Sequence, residues 1–198
     1  AMAIEGLQFE IVVAEDGSDE AETIERNAEI MALSHCRHIV NTENVGRAVI
    51  RNRLAAQANM PWLLFVDSDM RVVKPNFVER YLQLPNECTV VYGGNTTYGG
   101  AWTDERLLRV RYEQAAERQF TAQQRAKQPH HHITTSNLLV HKAVMQTVPF
   151  DNRFITYGYE DVFWGMSLAQ KGIQVAHIDN PVGFNYYDNN VAFVAKTI

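Results

Sequence analysis

Five consecutive apolar residues, Trp62-Leu63-Leu64-Phe65-Val66, run straight into Asp67-Ser68-Asp69. A run so short and so uniformly apolar reads as a strand covered on both faces, because a half-exposed strand alternates apolar with polar. Helices must then flank the sheet on either side, which directs the chain to an α/β layering. A second β-branched run, Phe9-Glu10-Ile11-Val12-Val13-Ala14, ends in Glu15-Asp16-Gly17-Ser18. Helical spacing covers 19–31, 46–58, 77–84, 104–127, 141–147 and 159–171, and further strands are expected at 37–40, 89–92, 134–140 and 173–178. Asn76 stands where it would cap the third of these helices and Gly172 where it would close the last. The alternation over 198 residues fits one α/β domain with a mixed, mainly parallel sheet flanked by helices.

Parallel strands bring their carboxyl ends to one edge, where open sheets bind ligands. Asp16, Asp67 and Asp69 are thus expected to share a cleft. Carboxylates that converge repel one another, and a hard divalent cation with oxygen ligands relieves the repulsion. Such a cation can also hold a phosphate, and no GxxxxGK[ST] run offers another cradle for one. Taken singly, Asp16-Gly17-Ser18 is ordinary turn chemistry, and Asp-x-Asp occurs often by chance. Gly158-Tyr159-Glu160-Asp161 opens the helix over 159–171. Acids in a first turn complement the helix dipole, yet the same place makes Asp161 a candidate general base. The helix N-terminus lowers its pKa, while Glu160 and the cleft acids raise it.

Charge and cysteine usage remove other classes. Lys plus Arg total 18 against 23 for Asp plus Glu, a formal net charge of −5, which argues against a nucleic-acid partner. No apolar run approaches the ~20 residues of a membrane span. Cys36 and Cys88 lie far apart and outside any CxxC, as in a cytoplasmic domain without disulfides or a cysteine-built metal site. His130-His131-His132 follows Gln-Pro and reads as a loop, since three consecutive side chains do not face one ion.

In order along the chain, 10–18, Asn44-Val45-Gly46-Arg47 with Arg51-Asn52, 63–69, Gly158-Tyr159-Glu160-Asp161 with Gly172, and Asp179-Asn180-Pro181-Val182 resemble the family 2 glycosyltransferases, which have the GT-A fold. The resemblance implies inverting transfer of a sugar from a nucleotide-sugar donor, UDP-linked in type, to a hydroxyl acceptor such as a saccharide. Mn²⁺ or Mg²⁺ is the implied cofactor. Residue by residue, Asp16 matches the acid that reads uracil, and Arg51 a basic group near the base and diphosphate. Asp67 matches the ribose-side member of the DxD motif, with Ser68 beside it on the donor, and Asp69 its metal-binding member. Asn137 falls where the donor sugar is positioned, Glu160 and Trp102 fall on the acceptor side, and Asp161 matches the catalytic base. Trp102 is equally well placed for stacking on a sugar or for ordinary packing. The resemblance divides the domain into a nucleotide-binding half, about 1–95, and an acceptor-binding half, about 96–198. The expected place is the cytoplasm, either free or peripheral to a membrane.

Three departures stand out. Glu15 replaces the first acid of the usual Asp-Asp-Gly-Ser, and Phe184 and Asn185 occupy the neighbourhood where related enzymes place a His. The strand and helix that precede the Asp-Gly-Ser strand in the family have no counterpart here, so an omitted N-terminal segment is expected. Two other readings remain. One is a non-catalytic nucleotide-sugar-binding module. The other is a haloacid-dehalogenase-like phosphatase with Asp67 as nucleophile and Asp69 as acid, a pattern that wants Thr or Val where Arg71 stands.

Overall fold

The computed structural model of the chain describes residues 4–85, 87–97, 106–155 and 158–197. Its first half runs β1 (Ile11–Asp16), α1 (Ala21–Ala28), β2 (Cys36–Asn41), α2 (Arg47–Gln57), β3 (Trp62–Val66), β4 (Met70–Val72), α3 (Phe77–Leu82), β5 (Val90–Tyr92) and β6 (Asn95–Thr96). The second half runs α4 (Leu107–Gln119), α5 (Ala122–Arg125), β7 (Asn137–His141), α6 (Lys142–Thr147), α7 (Glu160–Gln170), β8 (Ala176–His177), β9 (Val182–Phe184) and α8 (Asn190–Thr197).

The central sheet has the order β3-β7-β5-β8. Strand β7 is antiparallel to both β3 and β5, and β8 is parallel to β5, so three of the four strands share a direction and one opposes them. Successive residues of these strands enter different cores. Leu63, Val90, Leu138 and Val140 pack with α2, α6 and α7, while Leu64, Val91 and Leu139 pack with α3. Covering on both faces is why β3 is apolar throughout. Helix α7 contributes Glu160, Trp164 and Leu168 at four-residue spacing. Trp164 stacks on Phe150 at 4.9 Å and donates its indole N–H to the Val148 carbonyl at 2.7 Å, which fixes the helix against the sheet.

Strands β1 and β2 form a separate parallel pair, and β4, β9 and β6 a small third sheet. The latter strands are at most three residues long, too short for alternation to mark them in sequence. They matter because β9 pairs with β4 immediately after Asp69, and the Asn185 N–H donates to the Asp69 carbonyl at 2.8 Å.

Three local expectations change. The helix expected over 104–127 breaks at Phe120, where Thr121 caps a new turn with its hydroxyl and sends Arg125 inward; residues 104 and 105 lie outside the described residues. The strand expected from 134 begins at Asn137, because the Thr134 and Ser136 hydroxyls bond each other, Tyr92 and Asn95 instead of extending the ladder. Asn76 makes no side-chain cap; the first N–H of α3, that of Phe77, already bonds the Lys74 carbonyl. His130 and His131 lie in a short 3-10 turn, Pro129–His131, against α7, with His130 bonded to the Ile173 carbonyl and His132, just past the turn, against Phe120. Gly165 of α7 is needed there, since a Cβ would overlap the His130 carbonyl.

Candidate active site

Asp16 closes β1, and Asp67 follows the last residue of β3. The first turns of α2 connect both to the start of α7. The Asp16 carboxylate accepts the backbone N–H groups of Val45 and Gly46, each at 3.0 Å, which anchors the turn that leads into α2. Gly17, at φ 72°, lies against the Asn44 backbone so closely that no Cβ fits. The Asp-Gly pair is therefore both a turn and the clasp that positions α2.

One turn into α2, Arg51 is 6 % exposed and faces three acids from two distant segments. Its guanidinium lies 2.9 Å from Glu160, 3.4 Å from Asp161 and 3.5 Å from Asp67. A planar fork with five donors suits such a hub better than an ammonium would. Arg47, one turn earlier, reaches to 3.9 Å from Glu160. Asp161 has a second anchor, for its two oxygens accept the Thr135 hydroxyl and N–H, both at 3.3 Å. Its side chain keeps 20 % exposure, so one side of the carboxylate still meets solvent.

These surroundings place the Asp161 pKa at about 6. Burial raises it most, Arg51 lowers it, and Glu160 and Asp67 raise it further. Asp69 faces solvent beyond the β3 turn, yet the protein around it and then the Asp67 charge hold its carboxyl above the ordinary value, against Arg47 and Arg109. The repulsion that Asp67 exerts on Asp69 would be relieved by a hard cation. Among the described residues no group of three or more His, Cys, Asp or Glu is poised to hold a metal. The carboxylates at this turn are Asp67 and Asp69, a pair that would suit Mg²⁺-type binding through one or two carboxylates completed by water and substrate phosphates. Ser68 is exposed between the pair.

Two expected site residues are elsewhere in function. Asn137 is 0 % exposed and spends its amide internally, accepting from the Tyr81 hydroxyl at 2.7 Å and donating to the carbonyls of Gly94 and Asn180. A donor sugar does not reach it; it ties β7 to α3 and to the loop after β5. Glu160 is 4 % exposed and faces Arg51, which leaves no surface for an acceptor. Burying its charge requires the arginine, so its place is behind Asp161. Trp102 lies outside the described residues.

Glu15 has an equally structural explanation. Its carboxylate reaches Ser18 at 2.8 Å, the Asn27 amide of α1 and His38 of β2 at 3.3 Å. The extra methylene over Asp makes that span possible. Burial pushes this carboxyl up, but the hydrogen bonds from Ser18, Asn27 and His38 outweigh it and hold it below its usual value. Glu15→Ala is expected to cost about 1–3 kcal/mol by leaving those partners unpaired. Because the folded pKa is lowered, the stabilisation is full above the unfolded value near 4.3 and is lost as pH falls through the folded one. Urea unfolding of both forms between pH 3 and 7 checks this: the gap closes toward acid.

The description "Glycosyl transferase family 2" matches residues 2–148. The chain belongs to that family. S. aureus TarS 1-349 is similar in structure at TM-score 0.59 and 14 % identity, over 89 % of this chain and 50 % of that one. The same protein in complex with UDP is similar at TM-score 0.57 and 16 % identity, with the same coverage. At such identity the likeness speaks for the fold, which is the GT-A fold expected of a family 2 member. The chain spans about half the length of these structures. Among curated proteins none matches. In this family 2 chain, sequence reasoning passed over Thr135, whose role has no spacing signal, and Arg125. Arg125 is a buried cation held by the Phe120 and Ile178 carbonyls, His177 and the Tyr92 ring, and it braces β5 and β8.

Proposed function

We infer that the chain is an inverting glycosyltransferase that moves a sugar from a UDP-type donor to a hydroxyl acceptor, a saccharide by class, with Asp161 as base. The observation that carries this is the Arg51 hub, which joins the acid after β3 to the acids that open α7 within 3.5 Å. A direct displacement at an anomeric carbon needs two things on opposite faces: a stabilised leaving diphosphate and a deprotonated acceptor oxygen. Above pH 6 Asp161 is ionised, and its solvent side can take the acceptor proton while Thr135 and Arg51 hold the rest of the carboxylate. The new bond forms from the acceptor oxygen to the anomeric carbon as the bond to the diphosphate oxygen breaks, and the electron pair leaves with the diphosphate.

Asp69, with Asp67 beside it, would hold Mn²⁺ or Mg²⁺ on the donor. A cation there supplies charge neutralisation for the leaving group. Asp16 and the turn it anchors would form the uracil end, Asp67 and Ser68 the ribose side, and 1–95 the nucleotide half of one domain whose other half, 96–198, takes the acceptor. The phosphatase reading leaves Asp16 and Asp161 without a role. Among the described residues no helix is long and apolar enough to cross a membrane.

Thermal unfolding with UDP, with and without Mn²⁺, tests the reading. At a hundred times its Kd a ligand adds about 2.7 kcal/mol, which for a chain this size raises the melting temperature by roughly 5–10 °C. The expected result is a shift that needs both UDP and Mn²⁺ and that Asp69→Ala removes. An undiminished Mn²⁺-dependent shift in the variant would overturn the metal assignment, and no UDP shift at all would overturn the donor.

A further inference from the structure

The buried Arg125 of α5 fixes the protonation state of a histidine. Its Nε–H, which only donates, meets Nδ1 of His177 in β8 at 3.2 Å. That nitrogen must therefore present its lone pair. The ring proton is then on Nε2, 2.9 Å from the Pro129 carbonyl, a group that only accepts. Both contacts hold for the neutral ring in one tautomer. A proton added at Nδ1 would turn N–H against N–H and set a second positive charge beside the guanidinium. The guanidinium lies 5.0 Å over the Tyr92 ring, and His177 meets the same ring edge-on at 5.8 Å.

This pair grips the segment that leads to the base. Pro129 opens the turn whose His130 ring bonds the Ile173 carbonyl, and the His130 carbonyl packs so close to Gly165 of α7 that no Cβ fits. Farther along, Thr134 donates its hydroxyl to that of Tyr92 at 3.2 Å, and Thr135 gives Asp161 its hydroxyl and N–H. The segment is thus fastened to His177 at one end and to the ring under Arg125 at the other. We propose that Arg125 and His177 form an acid-opened latch on residues 129–135, closed while His177 is neutral, that positions Thr135 against Asp161. Its effect on transfer rests on the reading of Asp161 as base; the latch itself rests on the contacts above. Burial pulls the His177 pKa down to about 4 against the pull of the Pro129 carbonyl. The groups that face the ring are Arg125 from α5, His130 and His132 from the turn and Tyr92 from β5, and the first three oppose a charge there. Asp179, Tyr92 and Tyr81 act in turn on Arg125. The latch therefore stays shut while Asp161 ionises near pH 6 and opens only in stronger acid.

Imidazole nitrogen NMR in an acid titration of the unaltered chain tests the latch without substrate. His177 is expected to keep its proton on Nε2 and to gain a second one near pH 4, with the Thr135 amide shifting in the same step. A proton on Nδ1, titration near the ordinary 6.5, or a Thr135 amide that ignores His177 overturns the latch. In His177→Asn the Thr135 step near pH 4 is expected to vanish, leaving the one near pH 6 that belongs to Asp161. In transfer, the same variant is expected to lower kcat at least threefold with the donor KM within twofold. Its acid limb is expected to move above pH 6, because a loosened Thr135 N–H no longer lowers the Asp161 pKa. A slower variant with an unmoved acid limb would mark a merely structural role and overturn the positioning. Absence of transfer in the unaltered chain overturns the base reading alone, since the NMR outcomes judge the latch without it.

Discussion

Asp161→Asn is expected to lower sugar transfer by about 10²–10⁴-fold, the contribution of a positioned general base, while UDP still binds. The amide keeps the shape that Thr135 and Arg51 surround but accepts no proton. Transfer at saturating donor, measured beside UDP affinity, separates the two effects; a variant with unaltered turnover would remove Asp161 from the chemistry. The pH profile carries the same information independently. With a pKa of about 6, the base is protonated in acid, so kcat/KM is expected to climb through pH 6 and level off above it. Stability runs the opposite way. A carboxyl raised above its unfolded value near 3.9 favours the protonated folded state, so its stabilisation is full below about pH 4 and fades as pH rises through 6. Activity is thus gained over the range in which this group stops supporting the fold.

Arg51→Ala has the largest expected effect on the fold. Its removal leaves Glu160, 4 % exposed, as a buried charge without the partner 2.9 Å away. Breaking one side of a buried pair costs about 3–5 kcal/mol, or roughly 10 °C of melting temperature for a chain of this length. Two further outcomes make the expectation specific. Pairing Arg51→Met with Glu160→Gln is expected to recover much of the loss, since a neutral pair avoids the unpaired charge. In a folded Arg51→Ala variant, the acid limb of the rate profile is expected to move above pH 6, because the arginine lowers the Asp161 pKa more than the Thr135 N–H does. Thermal melts and pH–rate profiles read these directly. A melting temperature within 2 °C of the unaltered chain would show that Glu160 finds its compensation elsewhere.

Much of this was readable in the residues themselves. The uninterrupted apolarity of Trp62–Val66 specified a strand with two covered faces, and β3 has those bounds. The acid after β3 does meet the acids that open α7, through Arg51, whereas Asp16, at the end of a strand in a separate sheet, bonds only the turn into α2. What stayed hidden is what local pattern does not encode. Asn137 and Glu160 look like ligand-facing groups in a sequence, but whether a polar side chain points to a cleft or into the interior depends on partners such as Tyr81 and Arg51, 56 and 109 residues away. Glu15 departs from the usual first acid of its motif, and its bonds to Asn27 and His38, 12 and 23 residues away, give the reason. Strand β9 is three residues long, and only its pairing with β4 reveals that the tail brings Asn185 onto Asp69.

The hub also has a temporal meaning. Arg51 and Glu160 are 109 residues apart, and Asn185 and Asp69 are 116 apart. On the ribosome, α2 and β3 emerge long before the start of α7, so a nascent chain carries Arg51 with only Asp67 to oppose it until Glu160 and Asp161 arrive. The Arg51 hub is consequently completed late in folding, and a fragment ending before α7 would lack the contacts that bury this cation.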